Sequence, residues 1–325
     1  MRVFSGIQPT GMAHLGNYLG ALKNWVNLQQ EEHECFYSIA NQHAITLPQD
    51  RENLRKSTLQ TAAILFSIGL NPEKSTIFVQ SDVPAHTQFA WILSCLSPIG
   101  EMERMIQFKE KSKKTRHMAN LGLLSYPVLQ AADILLYKAN LVPVGKDQEQ
   151  HLELTRLLAK KFNNFYKPIF VEPKTLHTKT IKVVGLDGTA KMSKSAKNHI
   201  SIVENEKTLW EKLSTAVTDP ARIKKTDKGN PQICNIYSLH KLFSTQQDLE
   251  WVVAGCSNAK IGCIECKKKL FKNINELLKP IREKYVEWMK NPEKIKISLK
   301  NGAQKANKIA QQTLDEIYDI VGFKY

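Results

Sequence analysis

Two short runs carry the residue types best suited to phosphate chemistry: His14-Leu15-Gly16-Asn17 near the start of the chain, and Lys191-Met192-Ser193-Lys194-Ser195 far downstream. The first follows Gln8-Pro9-Thr10-Gly11 and falls between an expected first strand and first helix, where an open α/β sheet binds its ligand. There Gly16 would let the backbone approach a nucleotide, and the helix N-terminus would add positive potential toward phosphate. His14 and Asn17 could donate hydrogen bonds to phosphate or ribose oxygens. The same tetrapeptide also fits a plain turn in which Asn17 caps a helix. The second run is more specific, because Gly185-Leu186-Asp187-Gly188-Thr189 precedes it and makes it a glycine-rich loop with two lysines. In-line attack at the α-phosphorus of ATP leaves negative charge on departing pyrophosphate, and Lys191 and Lys194 would neutralise that charge in the transition state. A basic linker between domains is the competing explanation, and the pairing with His14 weighs against it.

Four cysteines form a separate constellation, Cys234, Cys256, Cys263 and Cys266, spaced C-x21-C-x6-C-x2-C. Thiolates at this spacing can converge on one centre, and four soft ligands suit either a [4Fe-4S] cluster or a structural Zn²⁺. Unrelated buried thiols are the plain alternative. Cys35 and Cys95 sit in strand and helix patterns and are expected in the core.

The elements that must position these groups read as an α/β fold, with short β-branched or aromatic runs alternating with amphipathic stretches, the pattern of a parallel sheet covered by helices. Strands are expected at Arg2 to Ile7, Cys35 to Ala40, Ser75 to Gln80 and Leu141 to Gly145, with helices from about Asn17, from Arg51 to Ile68 and from Glu149 to Phe162. The charged stretch from Met102 to Ala119 reads as a mobile insertion, and the apolar Leu121 to Lys138 as a buried helix hairpin. Beyond Lys191 only helices are expected: Glu206 to Val217, Cys266 to Lys290 and Asn301 to Ile320.

The chain's 325 residues, 42% hydrophobic, suffice for a sizeable core and two domains. Its 46 Lys+Arg against 31 Asp+Glu give a net charge of +15, which favours a polyanionic partner such as nucleic acid, although a solvated lysine surface is the ordinary source of such an excess. No apolar run approaches the roughly 20 residues that span a bilayer. No secretory signal opens the sequence, so a cytoplasmic location with reduced cysteines is expected.

With both signature motifs in hand, the sequence resembles the class I aminoacyl-tRNA synthetases, and within them those of bacterial type specific for tryptophan. The likeness runs along nearly the whole chain. It is carried by Phe4-Ser5-Gly6-Ile7-Gln8-Pro9-Thr10-Gly11, Gly16-Asn17-Tyr18-Leu19-Gly20-Ala21, Asn41-Gln42-His43-Ala44-Ile45-Thr46 and Val79-Gln80-Ser81-Asp82-Val83-Pro84. Further on it is carried by Tyr126-Pro127, by Ala131-Ala132-Asp133-Ile134-Leu135-Leu136-Tyr137, and by Val142-Pro143-Val144-Gly145-Lys146-Asp147-Gln148.

The resemblance implies a Rossmann-like catalytic domain at 1–190 with a helical insertion near 102–140, and an α-helical tRNA anticodon-binding domain at 191–325 whose last helix could pack back on the first domain. It also implies a homodimer, Mg²⁺ accompanying ATP, and L-tryptophan and tRNA(Trp) as substrates. ATP would be bound by Gln8, Pro9, Thr10, Gly16, Asn17, Gly145, Lys146, Asp147, Val183, Lys191, Met192, Ser193, Lys194 and Ser195, with His14, Asn17, Lys191 and Lys194 catalytic.

Tryptophan would be bound by Asp133, Phe4, His43, Tyr126 and Gln148. Asp133 has a physical reason for its role, since an indole N–H is only a donor and an ionised carboxylate is its complement. For Phe4, His43 and Tyr126, ordinary core packing is an equal explanation. Lys111 is a further expected phosphate contact, with a solvated lysine as its alternative.

A subset of these synthetases carries a [4Fe-4S] cluster near the anticodon-binding region, and Cys234-Asn235-Ile236 and Gly262-Cys263 resemble it. Asn41, Gln130 and Lys146 depart from the pattern, where Asp, Met and Glu are usual. A tyrosine-specific synthetase shares the architecture and both motifs, and a nucleotide-binding regulator on the same fold is the competing class.

Overall fold

Arg2–Ile7 (β1), Glu34–Ile39 (β2), Thr76–Val79 (β3), Leu141–Val144 (β4) and Lys174–His177 (β5) pair in parallel in the order β3-β2-β1-β4-β5 in a computed structural model of the chain. The structure describes residues 1–31, 33–114, 120–177 and 182–325. Register aligns Phe4 with Phe36 and Phe36 with Thr76. Cys35 through Ile39 are all buried, because helices cover both faces of a parallel sheet and no strand face is left to water. The order reverses between β1 and β4, so Gln8 to Gly11 and Gly145 to Gln148 leave the sheet side by side at the switch point, where such sheets bind ligands.

Contacts divide the chain into two units. One comprises residues 1–11, 21–180 and 288–325, the other 12–20 and 181–287. In the first, Tyr137 stacks on Phe4 (centroids 5.4 Å apart) and on Phe36 (4.7 Å), anchoring an aromatic core over the sheet. Pro292–Val321 belongs to this unit and packs on β3 so closely that a Cβ on Gly302 would overlap the Ile77 carbonyl.

Leu121–Leu135 is one helix, where a hairpin was expected. Pro127 sits inside it without ending it, since Asn120 caps the N-terminus by accepting from the Leu123 N–H (2.8 Å) and the apolar face packs between Ala85–Leu96 and Glu149–Phe165. The charged stretch before it forms Ile99–Arg104 and Ile106–Lys114, while 115–119 lie outside the described residues. β5 was not anticipated. Its residues Lys174, Thr175, Leu176 and His177 are short, half-exposed and polar, giving no apolar alternation to read. Cys35 is buried in β2, but Cys95 is exposed near the end of Ala85–Leu96, correcting its expected place in the core. The helix buries Ala85, His86, Phe89, Ile92 and Leu93, and Cys95 falls off that stripe.

In the second unit Glu206–Thr215, Asn235–Phe243, Gln246–Ser257 and Cys263–Lys290 are helices. Cys263–Lys290 buries Cys266, Leu270, Ile274, Leu278 and Ile281 at helical spacing, and Leu209 and Leu213 do the same for Glu206–Thr215.

Candidate active site

Asp133 is 3% exposed, yet its carboxylate is surrounded by donors. His43 Nε2 lies 2.8 Å from Oδ2, His86 Nδ1 lies 2.6 Å from Oδ1, and Gln80 Nε2 donates to both oxygens at 2.9 Å. His43 follows β2, Gln80 follows β3 and His86 opens the helix Ala85–Leu96, so strand ends supply the ring and Leu121–Leu135 supplies the acid. Burial alone would push this carboxyl up, but His86 and His43 hold it well below the usual carboxylate range. It is therefore ionised. An ionised carboxylate has about four acceptor sites, and one contact from His43, one from His86 and two from Gln80 fill them.

The network extends in two directions. His86 Nε2 lies 2.9 Å from the Tyr137 hydroxyl. On the other side the Tyr126 ring stands edge-on to His43 (centroids 6.2 Å apart), its hydroxyl pairs with His151 Nε2 at 2.9 Å, and His151 Nδ1 meets Gln148 Oε1 at 2.9 Å. Asp133, His43, Tyr126 and Gln148, named separately from sequence, thus form one connected set. Phe4 stands apart in the core, stacked on Tyr137.

Gln80, His86, Tyr137 and His151 were not singled out beforehand. A polar Gln80 at the end of an apolar strand was the available signal. Asn41 takes part in local structure, donating to Ser81 Oγ (2.7 Å) and accepting from its N–H (3.1 Å). Gln130 is half-buried, and the Lys146 side chain, like that of Lys111, lies outside the described residues. A Cβ on Gly145 would stand 2.7 Å from Asp147 Oδ1, which ties the glycine to the placement of that carboxylate. At the end of β1, Gln8 and Thr10 are exposed while Pro9 is buried.

In the second unit His14 and Asn17 brace each other. The Gly16 N–H donates to His14 Nδ1 (3.1 Å) and the His14 N–H donates to Asn17 Oδ1 (3.1 Å). A Cβ on Gly16 would come within 2.9 Å of His14 Cε1, so this position must be glycine for the imidazole to keep its place. Burial, with the positive charges of Lys194, His199 and Lys191 adding to it, lowers the His14 pKa to about 4. The ring is neutral at pH 7, and with Nδ1 accepting from Gly16 its proton sits on Nε2. His14 is thus a donor within the electrostatic reach of both signature lysines.

Their loop is built as a tight turn: Val184 bridges Lys191, and Met192 N–H donates to the Val183 carbonyl (2.9 Å), with Met192 and Val183 both buried. Asn198, also unforeseen, pins it by accepting from the Ser193 N–H (2.8 Å) and donating to Asp187 Oδ2 (2.9 Å). Ser193 Oγ lies 3.3 Å from Ser195 Oγ. Lys191 is exposed and Lys194 half-buried, its pKa lowered by that burial. Two lysines and a neutral N–H donor in one place match an anionic polyphosphate.

All four cysteines of the spaced motif line one small cavity of about 20 Å³. Cys234 precedes Asn235–Phe243, Cys256 ends Gln246–Ser257, and Cys263 and Cys266 open Cys263–Lys290. Burial pushes the Cys266 thiol up to about 12, with the neighbouring Cys234, Cys256 and Cys263 adding to the rise. Arg222, itself buried, directs Nη1 to Cys256 Sγ at 3.5 Å. Among the described residues no three His, Cys, Asp or Glu side chains close tightly enough to ligate a single ion.

Comparison with known proteins identifies the family. The family model for class I tRNA synthetases (W and Y) matches residues 1–279. The tryptophan–tRNA ligase of Deinococcus radiodurans is 47% identical over 99% of this chain and 98% of its own. That of Thermotoga maritima is 41% identical over 98% of each. The crystal structure of tryptophanyl-tRNA synthetase from Campylobacter jejuni complexed with ADP and tryptophan superposes with a TM-score of 0.92, at 42% identity, covering 99% of this chain and 100% of that one. On its motifs, its fold and these matches, the chain belongs to the class I tRNA synthetases of the tryptophan and tyrosine family.

Proposed function

We propose that the chain is a tryptophan–tRNA ligase that activates L-tryptophan with ATP and transfers it to tRNA(Trp). The observation that carries the choice of amino acid is Asp133, a buried, ionised carboxylate to which an indole N–H would bind by taking over one of the two contacts from Gln80. An indole N–H fits that acceptor. An ionised carboxylate accepts and cannot donate, so it pairs with the N–H and offers nothing to a side chain without a donor. His43, Tyr126 and Gln148 are assigned to the same amino acid, and Phe4 supports them through Tyr137.

In the first step the tryptophan carboxylate oxygen bonds to the α-phosphorus of ATP as the bond to the β-phosphate oxygen breaks, giving tryptophanyl-adenylate and pyrophosphate. Lys191, Lys194 and the Nε2–H of His14 are assigned to the phosphate oxygens, where they offset the charge that develops on the leaving group. Asn17 holds His14 by its backbone, and Gln8, Pro9, Thr10, Gly16, Gly145, Lys146, Asp147, Val183, Met192, Ser193 and Ser195 shape the nucleotide site. Mg²⁺ would accompany ATP as part of the substrate and offset the charge of its phosphates. In the second step the 2′-hydroxyl of the terminal ribose of tRNA attacks the adenylate's carbonyl carbon and AMP leaves. No protein side chain forms a covalent intermediate.

The helical residues of the second unit are assigned to the tRNA anticodon arm, consistent with the net charge of +15. A homodimer is consistent with large apolar side chains left exposed on the first unit, among them Trp91 and Ile99. Among the described residues no helix is long and apolar enough to cross a membrane, and we assign the protein to the cytoplasm. For the cysteines we propose a [4Fe-4S] cluster, with a structural Zn²⁺ as the alternative, because all four line one small cavity and the Arg222 guanidinium beside Cys256 suits a centre of net negative charge. Such a group would lend this unit a rigid centre. Charging of tRNA(Trp) with labelled tryptophan tests the whole reading: accumulation of aminoacylated tRNA is expected, and a chain that binds tRNA without charging it would overturn the assignment.

A further inference from the structure

Away from both motifs, the helices Glu206–Thr215 and Cys263–Lys290 bring two aromatic rings to the surface of the second unit. Trp210 and Phe271 meet edge to face, with centroids 5.6 Å apart and planes at 74°. Neither belongs to the buried stripe of its helix, which is made by Leu209 and Leu213 on one and by Leu270 and Ile274 on the other. Both rings are half-exposed and open into a shallow cleft of about 460 Å³. In an edge-to-face pair one ring spends only its edge, so its flat faces stay available to a further planar group. The two helices are tied together by buried Lys267, whose Nζ donates to the Ser214 carbonyl at 2.7 Å, so the pair sits on a braced support.

The charge around the cleft favours one kind of occupant. Lys207 and Lys268 flank the rings, and Lys268 also borders a neighbouring cleft of about 450 Å³ that adds Lys224 and Lys225. Glu206 and Glu265 are the acidic residues on the two rims, and the lysines outnumber them. An apolar protein surface would have to desolvate those ammonium groups. A polyanion that also presents flat π faces satisfies lysines and rings together, and unpaired RNA bases on their phosphate backbone are such a ligand. We propose that Trp210 and Phe271, flanked by Lys207 and Lys268, form a stacking platform for an unpaired base of the bound tRNA. The proposal rests on the reading of the chain as a tRNA ligase, and it fixes which part of this unit meets a single-stranded segment of the substrate.

The test uses the full chain and separates the two claims. Trp210→Ala is expected to leave tryptophan-dependent ATP–pyrophosphate exchange unchanged while raising the KM for tRNA in charging about tenfold, at little cost in kcat. Trp210→Phe keeps a π face and is expected to recover most of that loss. An exposed Lys268→Glu substitution carries little risk to folding and is expected to raise the same KM, more steeply at low salt than at high salt. A KM for tRNA unchanged in Trp210→Ala and Lys268→Glu would overturn the platform while leaving the ligase reading intact. Absence of exchange and charging by the unaltered protein would overturn the ligase reading itself.

Discussion

His86 Nδ1 lies 2.6 Å from Asp133 Oδ1, with both side chains buried and the far nitrogen of the imidazole 2.9 Å from the Tyr137 hydroxyl. The pairing sets the orientation of the imidazole and helps keep the buried carboxylate charged. An acceptor for an indole N–H is thereby ready before the amino acid arrives. Replacing His86 by Leu removes a donor from a buried carboxylate, which should cost about 1–3 kcal/mol of stability and raise the KM for tryptophan. Denaturant unfolding and exchange kinetics measure the two effects.

Asp133→Asn presents an amide where the indole donor expects a carboxylate. Exchange with tryptophan should fall by about 10²-fold or more in kcat/KM, while a tryptophan analogue with sulfur in place of the indole N–H should lose far less. Equal losses for both would show that Asp133 is structural and does not contact the indole.

Gly16→Ala pushes a methyl group against His14 Cε1 and must displace the imidazole. The kcat of exchange should drop by about 10–100-fold with the KM for tryptophan nearly unchanged. Lys194→Ala should act in the same direction and by about 10²–10³-fold, since it removes charge stabilisation that grows only in the transition state.

The pH dependence of stability follows from His14. Its pKa falls from 6.5 to about 4 on folding, so between those values the unfolded chain carries the extra proton. Stability therefore rises with pH across that window and is lost as pH falls through it. In His14→Gln this slope should shrink, and melting temperatures of the two proteins should diverge in favour of the variant as pH drops from 6.5 toward 4.

Anaerobically purified protein should contain about four iron atoms per chain, and Cys266→Ser should lose them together with the visible absorbance. Zinc in place of iron, or neither metal, would remove the cluster.

Much of this architecture was legible in the residues, and the gaps have physical causes. β1 to β4 announced themselves through β-branched and aromatic runs, whereas β5, with Lys174 and His177 at its ends, owes its pairing to β4 and not to its own composition. A hairpin was expected across the apolar Leu121 to Lys138, but packing on two helices holds Leu121–Leu135 as one helix that Pro127 does not end. Asp133 stood out as an acid in an apolar run. Its donors Gln80 and His86 lie about fifty residues upstream and come together only through the sheet. Asn198 escaped notice likewise, because holding Ser193 and Asp187 requires a turn that sequence spacing does not display. Cys95 was misplaced for a related reason: a helix buries a stripe, and an apolar neighbourhood does not place every residue on it.

The most direct test of the central claim is amino-acid-dependent ATP–pyrophosphate exchange by the purified protein, run with tryptophan and with tyrosine at matched concentrations. Exchange that depends on tryptophan, with tyrosine at least about 10³-fold lower in kcat/KM, is expected from a site built to pair an indole N–H with Asp133. Preference for tyrosine, or exchange with neither, would contradict it.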